Sequence, residues 1–348
     1  MEREQVIDMR AMREEEFSGY KGLKLVDLPK PAGTNGKVLL RITAAGVTPL
    51  DHTILSGQYP RAKAPLVLGG EGAAVVEEGG GSDFPVGSRV MFAGPYGVSE
   101  DGAYSEWLAV RKENVCVIPE AIDDVSAAGI PVAYLTAHMS LSLAGFQPGK
   151  TVLAPAIGGS VGNAVTQLAR ALGAKHAISS TTNHNKAGQA KSLGFDEVID
   201  LTREKLGDGV RRITGGRGAD IVIDSIAGEV LGEALGALAP NGSLTTLGYS
   251  AGRRASIDVT DLIWKRATIK SFSLFLSHRR LGRKPGIRSS RCLSPALSSP
   301  LWQRPSRWRK RPTLCITLSR TVPSGWSFSQ SDRLSTQRFL CRQFRFRE

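Results

Sequence analysis

Cysteine is scarce where it would matter most. The chain has four, and only Cys116 lies before residue 276, so neither a disulfide framework nor a four-cysteine zinc lobe can form there. Long hydrophobic runs are also missing: none reaches spanning length, and the opening Met1-Glu-Arg-Glu-Gln is too charged for a signal peptide. A cytoplasmic protein with no membrane partner is the default expectation. Acidic residues are scarce in one place only. Residues 276–348 hold one Asp and one Glu against 15 Arg and 2 Lys, a net charge of +15. Residues 1–275 hold 28 basic and 30 acidic side chains, so the overall +13 is a property of the tail.

What remains describes an enzyme-like chain. Its 348 residues, 41% apolar with 39 glycines, suffice for two domains with real cores in an α/β protein. Up to about residue 126, short β-like runs dominate, at Lys37–Thr43, Ala73–Glu78, Ser88–Ala93 and Trp107–Val110. Gly, Pro and Asp clusters separate them, which predicts a small, partly closed antiparallel domain over 1–126. From residue 127 to 275, strand-like and helix-like segments alternate, as parallel βαβ units require. The predicted strands are Thr151–Ala154, Ala177–Ser180, Glu197–Ile199, Asp220–Ile223, Ser243–Leu247 and Thr268–Phe275. Gly162–Leu172, Lys186–Leu193 and Val230–Leu238 are the amphipathic stretches between them. Six strands with intervening helices describe a doubly wound nucleotide-binding sheet.

The main chemical signal leaves the first of these strands. In Thr151-Val-Leu-Ala-Pro-Ala-Ile-Gly158-Gly159-Ser160-Val161-Gly162 the spacing is Ala156-x-x-Gly159-x-x-Gly162, with alanine replacing one glycine of G-x-G-x-x-G. Small residues let backbone approach a pyrophosphate, and the helix start stabilises its charge. A tight strand–helix turn without a ligand is the plainer alternative; the strand–turn–helix setting favours dinucleotide binding. The second strand ends in Ile178-Ser179-Ser180-Thr181-Thr182-Asn183-His184-Asn185-Lys186, with no acid for a ribose 2′-hydroxyl. Hydroxyls followed by lysine suit a 2′-phosphate, so NADPH is favoured over NAD, unless the run is an ordinary solvated loop.

Beyond this turn, several segments recur in a familiar order. They are Ala45-Gly46-Val47-Thr48-Pro49-Leu50-Asp51, Ser56-Gly57-Gln58-Tyr59-Pro60 and Pro65–Gly72. Further on come Tyr134-Leu-Thr136-Ala137, Gly218–Asp224 and Asn241–Gly248. Their order and spacing over residues 5–275 resemble the medium-chain dehydrogenase/reductase superfamily, in its zinc-free quinone oxidoreductase branch. The resemblance implies an α/β fold, a GroES-like β domain plus a Rossmann doubly wound parallel sheet. It also implies hydride transfer from NADPH to a small-molecule quinone or α,β-unsaturated carbonyl. The zinc branch would carry cysteine at Thr48 and histidine at Gly70; both are missing, so no metal is expected.

The implied catalytic pocket holds Thr48 and Tyr59. The family commonly has Asn at position 48 and Tyr at position 53, where this chain has Thr48 and Thr53. Tyr59 either bonds a carbonyl oxygen or walls the cleft. Asp51 reads as a loop anchor, Glu71 as an organiser of the cleft, and His52 and His138 as structural. The implied cofactor contacts are Thr136, Gly159, Ser160, Val161, Gly162, Ser180, Lys186, Ser225, Gly248 and Tyr249. Asp224 and Ser225 are expected on the adenosine side. Thr268–Phe275 resembles the edge strand through which family members pair, which implies a homodimer.

Residues 276–348 do not resemble the family's closing helix and strand. The segment is rich in Arg, Ser and Pro, without hydrophobic period, and is expected to be irregular or disordered. A shifted reading frame explains it. Combining the third base of each codon with the first two of the next, Leu301–Pro312 accommodates V-A-K-T-F-P-L-E-E-A-A-D, and the Trp302–Gln303 step allows only alanine. Two other readings stay open: a non-catalytic NADP(H)-binding regulator, and a nucleic-acid binder using the arginine tail, although that tail offers only non-specific phosphate attraction and no specific nucleic-acid partner is expected. Sequencing the transcript across the codons for Phe275 and Leu276 is expected to show an extra or missing base or an unrecognised intron; an intact frame would refute the shift.

Overall fold

The computed structural model describes residues 8–34 and 36–274, and these divide into two compact units at Val132/Ala133. The tail expectation, for residues 276–348, lies outside the described residues. The first unit contains two antiparallel sheets. One has the order β2-β1-β4, from β1 (Asp8–Glu14), β2 (Leu23–Pro29) and β4 (Leu66–Val67). The other has the order β7-β3-β5-β6-β8, from β3 (Lys37–Ala45), β5 (Glu71–Glu78), β6 (Arg89–Ala93), β7 (Trp107–Arg111) and β8 (Val115–Val117). Three helices accompany them: α1 (Pro49–Leu55), α2 (Asp124–Ala128) and the start of α3 (Pro131–Leu143).

Alternation builds the first core. Along β3, Val38, Leu40 and Ile42 enter one cluster with Ala74 and Val76 of β5 and Leu108 and Val110 of β7, while Arg41 is exposed. β1 and β2 are not among the predicted strands; in Asp8–Glu14 the alternation lapses after Ala11, where Met12 and Glu14 are buried and Arg13 is half-buried. Arg10, on the exposed side, pairs with Glu106 at 2.6 Å, far away in sequence.

The second unit is one six-stranded parallel sheet in the order β11-β10-β9-β12-β13-β14. Its strands are β9 (Thr151–Ala154), β10 (His176–Thr181), β11 (Val198–Asp200), β12 (Ala219–Asp224), β13 (Leu238–Thr246) and β14 (Thr268–Ser271). The crossovers carry α4 (Ser160–Ala171), α5 (His184–Ser192), α6 (Leu206–Thr214), α7 (Glu229–Gly236) and α8 (Val259–Lys265). Central strands read as unbroken apolar runs because both faces are covered; Val152, Leu153, Ile221, Val222 and Ile223 are all buried. The fold is therefore the GroES-like domain plus Rossmann sheet that the sequence implies. One strand is shorter than predicted: β14 stops at Ser271, and Phe272 and Ser273 lie beyond it.

A carboxylate ties the first unit together. Glu71, at the start of β5, is buried, and its Oε2 accepts the Val132 N–H at 2.7 Å. Val132 follows Pro131 in the first turn of α3, where backbone N–H groups have no helical acceptor. Glu71 thus caps a helix 61 residues away. Gly46 must be glycine for this to fit, since a Cβ there would stand 2.6 Å from Glu71 Cγ. Burial, opposed by the Val132 bond and helped by the charge of Asp51, pushes the Glu71 carboxyl up to about 8.

The unfolded chain ionises this carboxyl near 4.5, the folded chain only near 8. Between those values the unfolded state gives up a proton that the folded state keeps, so this group's contribution to stability falls as pH rises, by at most about 1.4 kcal/mol per pH unit. Glu71→Gln keeps an oxygen for Val132 and removes the titration. Thermal unfolding from pH 5 to 8 should show wild type losing ground steadily to the variant; a constant difference across that range would refute the shift.

Candidate functional site

In the second unit, the strand order places a topological switch at β9, between crossovers that run in opposite directions. All six strands point the same way, so the carboxyl ends of β9, β10, β12 and β13 lie along one edge of the sheet. The glycine-rich turn leaves β9 there. Ala156, in place of the usual glycine, takes φ 67°, a left-handed conformation that an L-residue adopts only under strain. Ile157 N–H donates to Ser180 O at 2.8 Å, which fixes the turn to the end of β10. Gly162 is buried, and a Cβ on it would meet Ala156 O at 2.4 Å and Pro155 O at 2.5 Å. Gly159 caps α4 with no side-chain hydrogen bond. The helix start is thus left to backbone N–H groups, as a pyrophosphate needs.

Most of the expected cofactor contacts gather along this edge. Gly159, Ser160, Val161 and Gly162 form the turn and the first turn of α4; Ser180 is buried near the end of β10; Ser225 follows β12; Gly248 and Tyr249 follow β13. Lys186 is half-buried in the first turn of α5, its N–H capped by Asn183 Oδ1 at 3.1 Å. Thr136 stands apart, buried within α3. Asp224 is buried with its carboxylate committed to its own loop: Oδ1 accepts from Ile226 N and Ala227 N at 3.0 and 2.9 Å, and Oδ2 from Thr246 Oγ1 at 3.2 Å.

Sequence reasoning missed one group here. Thr181 of β10 pairs with Asp200 of β11, which brings a carboxylate beside the end of the second strand. That carboxylate is already engaged. Its Oδ1 accepts from Thr202 Oγ1 and N at 2.6 and 3.0 Å, and its Oδ2 meets His184 Nδ1 at 2.6 Å and Arg203 Nε at 3.7 Å. The Thr202 hydroxyl bond and His184 hold it down to about 2. An acid ending the third strand was the only sequence signal of this cluster.

In the first unit, the site residues gather around α1. Thr48 is its N-cap, closing a capping box in which Asp51 Oδ2 accepts the Thr48 N–H at 2.7 Å and its hydroxyl at 2.8 Å. Asp51 is buried; burial raises its carboxyl, against the bonds from Thr48, Tyr104 and Gly69 N–H. Tyr104 donates to Gly46 O at 3.4 Å, and burial with the charge of Asp51 raises its phenol well above the ordinary range. Tyr59 is half-buried beyond the far end of α1. Seven helical residues separate it from Thr48, about 10 Å at the helical rise, so the two sit at opposite ends of one short helix. Thr53 turns its hydroxyl back to Pro49 O at 3.1 Å. His52 meets Tyr20, Nδ1 to Oη at 2.8 Å, with the rings stacked 5.6 Å apart. No sequence pattern announces that pair. Among the described residues, no three His, Cys, Asp or Glu side chains gather so as to hold a metal ion. No helix among them is long and apolar enough to cross a membrane.

Comparison with known proteins agrees with this architecture. An alcohol dehydrogenase GroES-like domain family matches residues 34–120, and a zinc-binding dehydrogenase family matches residues 160–281. A 2-haloacrylate reductase from a Burkholderia species is 33% identical over 277 residues, covering 76% of this chain and 80% of its own. The quinone oxidoreductase of Homo sapiens is 31% identical over 276 residues, covering 77% and 81%. A mycobacterial protein whose structure was solved in complex with NADPH aligns with a TM-score of 0.70 at 28% identity, over 96% of this chain and 97% of that one. The chain belongs to the medium-chain dehydrogenase/reductase superfamily of NAD(P)-binding oxidoreductases, in its quinone oxidoreductase-like branch.

Proposed function

We propose that this oxidoreductase reduces a quinone or an α,β-unsaturated carbonyl with NADPH and without zinc. The observation that carries the reading is the edge of the parallel sheet at the glycine-rich turn. A Gly162 that admits no Cβ, the uncapped start of α4 and the strand ends at Ser180, Ser225 and Gly248 fit a dinucleotide. Gly159, Ser160, Val161 and Gly162 would receive its pyrophosphate, and Tyr249 and Thr136 are further proposed contacts. Bound there, the nicotinamide supplies a hydride to an electron-poor carbon.

The choice of NADPH rests on the end of β10. Lys186 and the exposed His184 lie in the first turn of α5, and Arg203 reaches His184 Nε2 at 3.3 Å. The nearest carboxylate, Asp200, is occupied by Thr202, His184 and Arg203. A 2′-phosphate meets positive charge there, whereas a ribose 2′-hydroxyl finds no open acid. Against zinc stands the donor set: Thr48 and Gly70 stand where the zinc branch has ligands, and neither offers nitrogen or sulfur to a metal. Thr48 and Tyr59 are the proposed substrate-side residues. Pairing of two copies along the open edge of β14 is a further proposal, supported by exposed Ile269 on that strand and Trp264 on α8.

Two measurements test this. Stopped-flow or steady-state oxidation of NADPH with a panel of quinones and enones is expected to show turnover; NADPH binding without turnover on any of them would favour the regulatory reading. Lys186→Ala should weaken NADPH binding roughly tenfold, about 1.4 kcal/mol, and leave NADH binding nearly unchanged. An equal loss for both cofactors would refute the assignment of the 2′-phosphate to this end of β10.

A further inference from the structure

The geometry points to His52 Nε2–H as the hydrogen-bond donor to the substrate's carbonyl oxygen, with Tyr20 as the positioning residue that fixes its tautomer. This rests on the reductase reading above and adds a substrate-side group to it. The first argument is one of supply. A carbonyl that takes a hydride at its conjugated carbon gathers negative charge on oxygen, and a placed donor there lowers the barrier. Thr48 donates its hydroxyl hydrogen bond to Asp51 Oδ2, and Tyr104 is turned inward to Gly46 O and Asp51. Tyr59, the other candidate donor, lies beyond the far end of α1.

His52 is differently placed. It lies four residues after Thr48, so the two share one face of α1. Its side chain is exposed while that of Asp51 is buried, so a ligand can reach the ring. Tyr20 engages Nδ1 at 2.8 Å and stacks on the ring with an interplanar angle of 29°. Which imidazole nitrogen carries the proton is set by the partner of the other. Tyr20 remains a phenol at neutral pH, because burial and the nearby charge of Asp51 both raise its ionisation. A phenol can donate its proton to Nδ1 or accept one from it; in the proposed arrangement Tyr20 donates, which leaves the imidazole proton on Nε2. An Nε2–H so arranged can polarise a carbonyl by donating a hydrogen bond to its oxygen.

Tyr20 is itself held in place. Gly19 N–H donates to Leu55 O at 2.8 Å, which pins the loop to the end of α1, and Gly22 N–H closes a tight turn on Gly19 O at 3.1 Å. Beneath the loop, Glu14 is fully buried and accepts from Ser18 N–H at 3.4 Å. The ring of Tyr20 is thus positioned from α1 and from β1 at once, which a surface loop with no task would not require.

The test uses the full chain. Acetophenone labelled with 13C at its carbonyl, bound in the presence of NADP+, should show a downfield carbonyl shift that disappears in His52→Phe and survives in His52→Gln, which keeps an N–H donor. The 15N spectrum of His52 should show the proton on Nε2 in wild type and a mixture of tautomers in Tyr20→Phe. In enone reduction, His52→Phe should lower kcat/KM on the order of 10–100-fold with the KM for NADPH unchanged, and adding Tyr20→Phe to it should cost nothing more. NADPH binding and melting temperature check that the variants fold. A carbonyl shift independent of His52, no ketone binding, or a proton on Nδ1 would overturn the proposal. Absence of turnover on every quinone and enone would sink the reductase reading instead, while the two spectra would still decide the role of His52.

Discussion

Both units depend on buried carboxylates that capture backbone N–H groups. Removing a carboxyl group from water is costly unless it is answered by hydrogen bonds, and a bond from a loop amide offsets part of that cost while fixing the loop. Glu71 takes Val132 N–H and Asp51 takes Thr48 N–H. In the second unit, Asp220 takes Thr151 N–H at the start of β9 and Asp224 takes two amides after β12. Each bond sits where the chain enters or leaves a regular element. The strands and helices could form without them, but the segments that carry functional side chains would then be free to move.

The two units use this device to different ends. In the second, the carboxylates hold the ends of strands whose order already dictates where a ligand binds. Parallel strands crossing in opposite senses from β9 leave an opening at their carboxyl ends, and the small residues of the turn keep it open. In the first, no strand order supplies a site. The proposed substrate-side residues cluster instead on a helix of seven residues, with Asp51 closing its start and the Tyr20 loop bonded to its end.

This difference explains what could be read from the sequence. The sheet is legible because its information is local: apolar runs at Thr151–Ala154 and Ala219–Asp224, small residues at Ala156, Gly159 and Gly162, and a helix directly after. The domain of the first unit is legible in β3, β5, β6 and β7, where alternation survives. It fades in β1, where Arg13 falls on the side of Met9 and Ala11 and is answered by Glu15. The Tyr20–His52 pair spans 32 residues and belongs to no motif, so only folding reveals it. Asp200 was visible as a residue but not as a neighbour of Thr181, since register between parallel strands is set by crossovers rather than by either strand.

The proposed cofactor and substrate sites therefore rest on separate cores. The turn after β9 draws its shape from a core built within the second unit, in which Leu153, Ile178, Val222 and Leu244 pack with Leu206, Val210 and Leu235 of the helices. Nothing in that cluster comes from the first unit. The groups around α1 draw theirs from Glu14, Asp51, Glu71 and Tyr104, all in the first unit. A lesion that loosens one need not disturb the other. NADPH binding on its own thus testifies only to the parallel sheet, and would be shared by an enzyme, a damaged enzyme and a regulator alike. What would separate the three is the condition of α1: if His52 holds its proton on Nε2 against Tyr20 as proposed, the first unit carries a donor for a substrate, and a protein that only sensed its cofactor has no need of one.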